Sequence, residues 1–367
     1  MENDLKSIFF QLLNIGLWGE GSLQLSKPLN EENWSQIYSL AVNHTVEGLI
    51  FDSFSFLKEE QLPPQAIRLK WAVRIDKIEK HSSKMNAVIA KQSQAFREQK
   101  LSLVLQKGQG VAFCYRIPQH RVSGDIDWYF EEKSYAKARN ILKEKMLNFQ
   151  DTAGFSLSYE CDGITVEHHK KLFDIQSPLK KRFLKQIQQE YKSKQQIIVI
   201  NNVPVNILAP ELQLLQVNAH ILKHLLSFGI GFRQLCDSAR LYYSLDNQFD
   251  KVSLYRLYKN AGILKWIHLL HYILIKYLGM PQKCLPFSIP DGIDADWMFD
   301  EIWYSGNFGF HDKRFEGGKI VPLISVQPDG ALRLWHNFNR YLKYAPQEAI
   351  FFPLVHIYSK FFGKDRH

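Results

Sequence analysis

Apolar residues recur at helical spacing through residues 1–100 and again beyond 210, and between them the pattern shortens to the period of strands. Asn30 is placed to cap a helix running through Trp34, Ile37, Tyr38 and Ala41. Pro63 and Pro64 open a long amphipathic segment over 65–100. Leu101 to Leu105 is a short apolar run that predicts a buried strand, ending in Lys107-Gly108-Gln109-Gly110. A short helical stretch follows through Phe113 and Tyr115 and is broken by Pro118. Gly124 then leads into a strand over 125–130, and Ser134 to Leu147 reads as a helix. Two strands flank the hairpin signal Asp162-Gly163, the second over 164–169. Ile197 to Ile200 and Val203 to Leu208 form a further hairpin around Asn201-Asn202. Pro210 starts a helix that passes His224, and the rest is mostly helical, with loops at Gly306-Asn307-Phe308-Gly309 and Gly317-Gly318. The expected class is α+β: a helical region over 1–100, a mixed α/β core over 101–209 and a helical domain over 210–367.

Composition narrows the function only slightly. With 46% hydrophobic and 23% charged residues the chain can bury substantial cores and is not a disordered one. A net charge of +9 attracts polyanions, which admits nucleotide phosphates, nucleic acid and acidic membranes alike. The cluster Lys180, Lys181, Arg182 and Lys185 reads as the solvated face of a helix, with RNA binding as the other reading. Cys114, Cys161, Cys236 and Cys284 form no C-x-x-C pair, so neither a zinc cage nor a dithiol motif is visible, and reduced thiols are expected. The start Met1-Glu2-Asn3-Asp4 lacks the basic opening of a secretory signal. The apolar stretch 263–280 is interrupted by Lys265, His268, His271 and Lys276, which fits a buried helix better than a membrane span. A cytoplasmic protein without membrane attachment or an obligate protein partner is the expectation.

Chemistry concentrates in the middle. Side chains alternate along a strand, so Asp125 and Asp127 share a face while Ile126 points the other way. Carboxylates so placed repel each other unless a cation lies between them, and hard oxygen donors suit Mg²⁺. A D-x-D pair alone is weak evidence, because solvent-facing strands and sugar-nucleotide glycosyltransferases show it too. Three features add to it here. Lys107-Gly108 precedes a helix, whose free backbone N–H groups favour anions, and Gly108 allows a phosphate close approach. Thr165-Val166-Glu167-His168-His169 offers a third acid on a later strand. Ile126, Ile164 and Val166 give both strands an apolar face, leaving the acids on the opposite side. Asp125, Asp127 and Glu167 could thus supply a pair of Mg²⁺ ions about 3.5–4 Å apart, with Glu167 alternatively acting as the base for an attacking hydroxyl.

Lys107-Gly108, then Arg121 with Ser123-Gly124-Asp125-Ile126-Asp127, then Val166-Glu167-His168 resembles the nucleotidyltransferase superfamily, and more closely its bacterial "uncharacterised nucleotidyltransferase" family. Val205-Asn206-Ile207-Leu208-Ala209-Pro210-Glu211, His220 to His224, Arg233-Gln234-Leu235-Cys236-Asp237 and Pro346-Gln347-Glu348-Ala349 extend the likeness over most of the chain. The resemblance implies a small mixed sheet with flanking helices, related to polymerase-β-like and aminoglycoside transferases. It also implies metal binding by Asp125, Asp127 and Glu167 and nucleotide phosphate contact at Gly108. Gly108-Gln109 departs from the Gly-Ser or Gly-Gly of many members.

Individual residues carry a bland reading beside the functional one. Lys107, Gln109, Ser123 and Lys223 are candidate nucleotide contacts; a solvated strand-end lysine, local turn bonding and a surface lysine are the alternatives. Arg121 is expected to steady the loop before the metal strand, and Arg233 to pair with Asp237 along one helical face. His168 is expected in the core, and His169 on the face of Glu167, open to a metal or acceptor role. The expected reaction moves an NMP from an NTP to a hydroxyl acceptor (small molecule, sugar or RNA), with release of pyrophosphate. A non-catalytic nucleotide-binding protein, a toxin-like transferase acting on tRNA and a glycosyltransferase are the rivals.

Overall fold

The structure is a computed structural model and describes residues 2–25, 27–145, 150–152, 156–227, 229–307 and 330–362. Helices α1 (Glu2–Trp18), α2 (Glu31–Asn43), α3 (Glu47–Ser53) and the long α4 (Gln65–Glu98) come first. Asn30 caps α2 as its sequence suggests: its side chain accepts from the Asn33 backbone N–H, and the Asn33 side chain accepts from that of Asn30.

The sheet follows, built from β1 (Leu103–Gln106), β2 (Asp125–Phe130), β3 (Gln150–Thr152), β4 (Ser156–Cys161) and β5 (Ile164–His169). Its order is β1-β2-β5-β4-β3; β2 and β5 run parallel and the other neighbours antiparallel. Short α5 (Lys107–Ala112) leaves β1, and α6 (Glu132–Lys145) makes the crossover after β2. Asp162 and Gly163 turn β4 into β5 with φ of 51° and 68°, and Asn201 and Asn202 do the same between β6 (Gln196–Ile200) and β7 (Val203–Ile207) with 48° and 62°. These left-handed pairs match the right-handed strand twist, which is why Asx and Gly occupy them. Helix α7 (Lys181–Glu190) precedes that hairpin, with Lys181, Arg182 and Lys185 exposed.

Beyond 209 the chain is helical: α8 (Pro210–Leu226), α9 (Phe232–Ser244), α10 (Lys251–Ala261), α11 (Leu264–Lys276), α12 (Asp296–Ser305), α13 (Gly330–Tyr341) and α14 (Pro346–Phe362). Residues 308–309 and 317–318 of the expected loops lie outside the described residues. Trp266, Ile267, Leu270, His271 and Ile273 of α11 are all buried, so this apolar stretch is core, and no helix among the described residues is long and apolar enough to cross a membrane. All four cysteines are free thiols, three of them buried.

Two apolar cores meet at the sheet. One face contributes Ile126, Trp128, Phe130, Ile164 and Val166 to a cluster completed by Met85, Val88, Ile89 and Phe96 of α4 and by Val205 and Ile207 of β7. The larger core joins α1, α8, α9, α11 and α12 through residues such as Phe9, Leu214, Phe232, Trp266 and Phe299. Strand alternation therefore leaves the second sheet face, carrying Asp125, Asp127, Glu167 and His169, turned toward α8. The Gln106 and Gln216 side-chain amides fix that packing by donating to the same Leu172 carbonyl at 3.4 and 2.9 Å.

Candidate functional site

The parallel register sets the acids side by side, with Asp125 opposite Thr165, Asp127 opposite Glu167 and Tyr129 opposite His169. Asp127 Oδ1 lies 2.6 Å from His169 Nε2 and 3.6 Å from Lys107 Nζ. His169 Nε2 is also 3.3 Å from Glu167 Oε2. Asp127, Glu167 and His169 thus bring one donor atom each within 4.8 Å of one another, a spacing that fits a single divalent cation. Glu167 falls on the aspartate side of the sheet, where alternation puts it. Asp125 lies at the exposed end of the same face and is not part of that tight trio.

The charges are strongly coupled. Asp125 is pushed up to about 6, first by the negative charge of Asp127 and then by loss of hydration, while Lys107 pulls the other way. Asp127 goes the opposite way: burial would raise it, but Lys107 and the hydrogen bond from His169 hold it well below the usual carboxylate range. Burial also works against charge on Lys107, yet Asp127, Asp174, Asp125 and Glu167 together keep its ammonium protonated beyond the ordinary lysine range.

The turn after β1 differs from its expectation. Lys107 and Gly108 both have positive φ, 39° and 35°, and Gly108 with ψ of −119° is not helical. The regular part of α5 is therefore a single short turn, too short for the strong anion site of a longer helix. A Cβ on Gly108 would stand 3.4 Å from the Asp125 carbonyl oxygen, so glycine serves both the backbone angle and the close approach to β2. Gln109 and Ser123 are buried and bonded to the protein. The Gln109 amide donates to Ser82 Oγ and Asn86 Oδ1 at 3.1 and 2.7 Å and accepts from Ser123 Oγ at 3.1 Å.

Arg121 steadies the loop before β2, but through a carboxylate more than through carbonyls. Its guanidinium makes two 2.7 Å bonds to Asp237 and donates to Ser123 Oγ at 2.6 Å. The expected Arg233–Asp237 pair is replaced by this bridge, because Arg121 reaches Asp237 across the fold. Arg233 instead donates to Thr45 Oγ1 and the Val122 carbonyl at 3.1 and 2.9 Å. Upstream, His120 joins Asp52 to Glu79, the latter at 2.9 Å.

A second group borders the acids from α8. Asp174, in the segment after β5, accepts from His220 Nδ1 at 2.6 Å and from Lys223 Nζ at 2.8 Å. Burial opposes ionisation of Asp174, but Lys223 and the His220 bond keep its carboxyl well below the ordinary range. Glu348 of α14 holds this segment by accepting from the backbone N–H groups of Gln176 and Ser177 at 2.6 and 3.0 Å.

The sequence of this region matches a known pattern: the family described as uncharacterised nucleotidyltransferase covers residues 30–279, well over half of the chain. The chain belongs to that family. No curated protein matches it. Among solved structures it is similar to an antigenic nucleotidyltransferase-like protein from Paracoccidioides brasiliensis, with 14% identity over 53% of this chain and 92% of that one. The TM-score of that superposition is 0.32, too loose to bear on function. The span shared with the nucleotidyltransferase family contains the acids, Lys107, Asp174 and His220. Asp174 is the member of this group that the sequence pattern missed. It stands in a loop without periodicity, and only the packing of α8 against the sheet gives it partners.

Proposed function

We propose that this chain transfers a nucleoside monophosphate from an NTP to a hydroxyl-bearing acceptor, with a divalent cation held by Asp127, Glu167 and His169 and flanked by Asp125. The observation that carries the reading is the convergence of those three donor atoms, from two parallel strands, beside the Lys107 ammonium. Family membership supplies the transferase class; the metal, the NTP and the acceptor are our inference.

The donor set fits the group. Two carboxylates suit Mg²⁺, and the imidazole nitrogen makes the trio equally suitable for Mn²⁺. A bound cation would neutralise charge on the triphosphate and ease loss of the acceptor proton. Asp125 and Asp127 repel each other without it, so cation binding relieves a stress visible in the raised carboxyl of Asp125. Lys107 is charged and partly open, placed to meet a phosphate oxygen, and Gly108 lets the backbone approach closely. Gln109 and Ser123, whose side chains are engaged internally, would contribute through backbone N–H groups. Lys223, resting on Asp174, is the further phosphate contact.

Incubation with each α-labelled NTP, Mg²⁺ or Mn²⁺ and a cell extract tests this reading. Wild-type protein should label an acceptor and release pyrophosphate, and Asp127→Asn should not. Equal labelling by both proteins would overturn it.

A further inference from the structure

We infer that His220, oriented by Asp174, is the general base that takes the proton from the acceptor hydroxyl. This rests on the transferase reading above and assigns one of its steps to residues outside the acid face.

The acids of β2 and β5 already have a role. Glu167 shares His169 with Asp127 and belongs to the cation's donor set, and a carboxylate committed to a cation is a poor proton acceptor. Another base is needed beside the same acids. Helix α8 brings one. Gln216, one turn before His220, and Gln106, immediately before Lys107, donate to the same Leu172 carbonyl, so the next turn of α8 lies alongside Lys107. Lys107 in turn stands 3.6 Å from Asp127.

His220 is built as a base. Its Nδ1 pairs with Asp174 at 2.6 Å, which puts the ring proton on Nδ1 and leaves the Nε2 lone pair for a substrate. Among the described residues nothing bonds Nε2. The His224 ring packs edge-on against the His220 ring with centroids 4.3 Å apart, and Lys223 fixes the other Asp174 oxygen, so ring and carboxylate are both held. The side chain remains 23% exposed, enough to be reached. A carboxylate that fixes one imidazole nitrogen while the other receives a proton is the usual arrangement of base and orienter.

The surrounding charges fit the role. The titratable groups acting on His220 are Asp174 from the segment after β5, Lys107 from the turn after β1, Lys223 and His224 from its own helix, and Asp127 from β2. Burial first, and then Lys107, push the imidazole down to about 4, so it is neutral at pH 7. A bound triphosphate would offset Lys107 and Lys223 and return the imidazole toward its ordinary basicity when a substrate is present.

The step balances. The acceptor O–H gives its proton to His220 Nε2, its oxygen forms the new bond to the α-phosphorus, and the bond from that phosphorus to the bridging oxygen breaks. Pyrophosphate leaves with the electron pair. Asp174 is a positioning residue, acting through the imidazole.

Two measurements test this. Diethyl pyrocarbonate should modify His220 in wild-type protein at pH 7, and Mn²⁺ with α,β-methylene-ATP should protect it. Water as the hydroxyl source, with Mn²⁺ and ATP, reads turnover as AMP and pyrophosphate. His220→Gln should lower that turnover by about 10²–10⁴-fold without weakening Mn²⁺·nucleotide binding. Added imidazole should restore part of it, which a merely structural role would not allow. Asp174→Asn should give a smaller loss and a displaced acidic limb in the pH profile. His220 that is unreactive or unprotected, or His220→Gln turning over at the wild-type rate, would overturn the base assignment alone. No binding of Mn²⁺·nucleotide to wild-type protein would overturn the transferase reading as well.

Discussion

His168 and His169 are neighbours in sequence and stand in opposite chemistry. His168 points into the α4-backed core, 1% exposed, with its ring against Phe96 and Phe130 and its Nε2 3.0 Å from the Tyr159 hydroxyl. Burial pushes it down to about 3, so it is a neutral packing residue with one satisfied nitrogen. His169, one residue on, touches Asp127 and Glu167 on the open face. The same division holds along β2, where Ile126 and Trp128 are core while Asp125 and Asp127 carry charge. Strand period thus separates stability from chemistry residue by residue. Substitutions on the two faces should fail in different assays.

The largest effect is expected at Asp127. Asp127→Asn should cost on the order of 10³-fold or more in transfer, because charge stabilisation worth several kcal/mol is lost with the cation. Its circular dichroism should match wild type. Trp128→Ala should do the reverse, destabilising the fold by about 3–5 kcal/mol in urea titrations, since it removes a fully buried ring, while the folded fraction keeps its cation affinity. The histidine pair sharpens the contrast. His169→Gln should weaken Mn²⁺ binding by about 10–100-fold with little change in Tm. His168→Gln should leave Mn²⁺ binding intact and cost about 1–3 kcal/mol, as a buried polar group loses its fit to Tyr159.

The smallest effect concerns pH. The Asp125 carboxyl, at about 6 in the folded chain, lies above its ordinary unfolded range. Folding therefore favours the protonated form, and this group adds stability to the metal-free protein as pH falls from 7 through 6. Asp125→Asn should raise the Tm of metal-free protein at pH 7, with the gain shrinking below pH 6. Saturating Mn²⁺ should remove the gain, because the cation then does what the substitution did. A Tm difference that is constant from pH 7 to 5 would contradict the stated charge coupling.

Local signals carried much of this. Strands β2, β4 and β5 and the β6–β7 hairpin were legible because alternation and Asx-Gly or Asn-Asn turns are properties of a few adjacent residues. Glu167 was legible as a partner of Asp127 because both strands showed which side was apolar. Strand β3, at Gln150–Thr152, is too short to show a period. The helix before it runs Glu132–Lys145 rather than from Ser134 to Leu147, and residues 146–147 lie outside the described residues. Asp174 and the Arg121–Asp237 bridge were beyond reach. Their partners stand 46 to 116 positions away, and spacing in sequence says nothing about side chains brought together by helix packing. The Arg233–Asp237 expectation failed for this reason. An i,i+4 pair is worth a few tenths of a kcal/mol, and a bidentate buried arginine outcompetes it.

Transfer by this chain requires that the acid face of β2 and β5 hold a cation together with a nucleotide. Calorimetric titration of α,β-methylene-ATP with Mn²⁺ into wild-type protein and into Asp127→Asn measures this directly. The expected result is saturable binding to wild type that is abolished by removing Mn²⁺ and weakened at least tenfold in the variant. Equal binding to the two proteins, or binding indifferent to Mn²⁺, would contradict it.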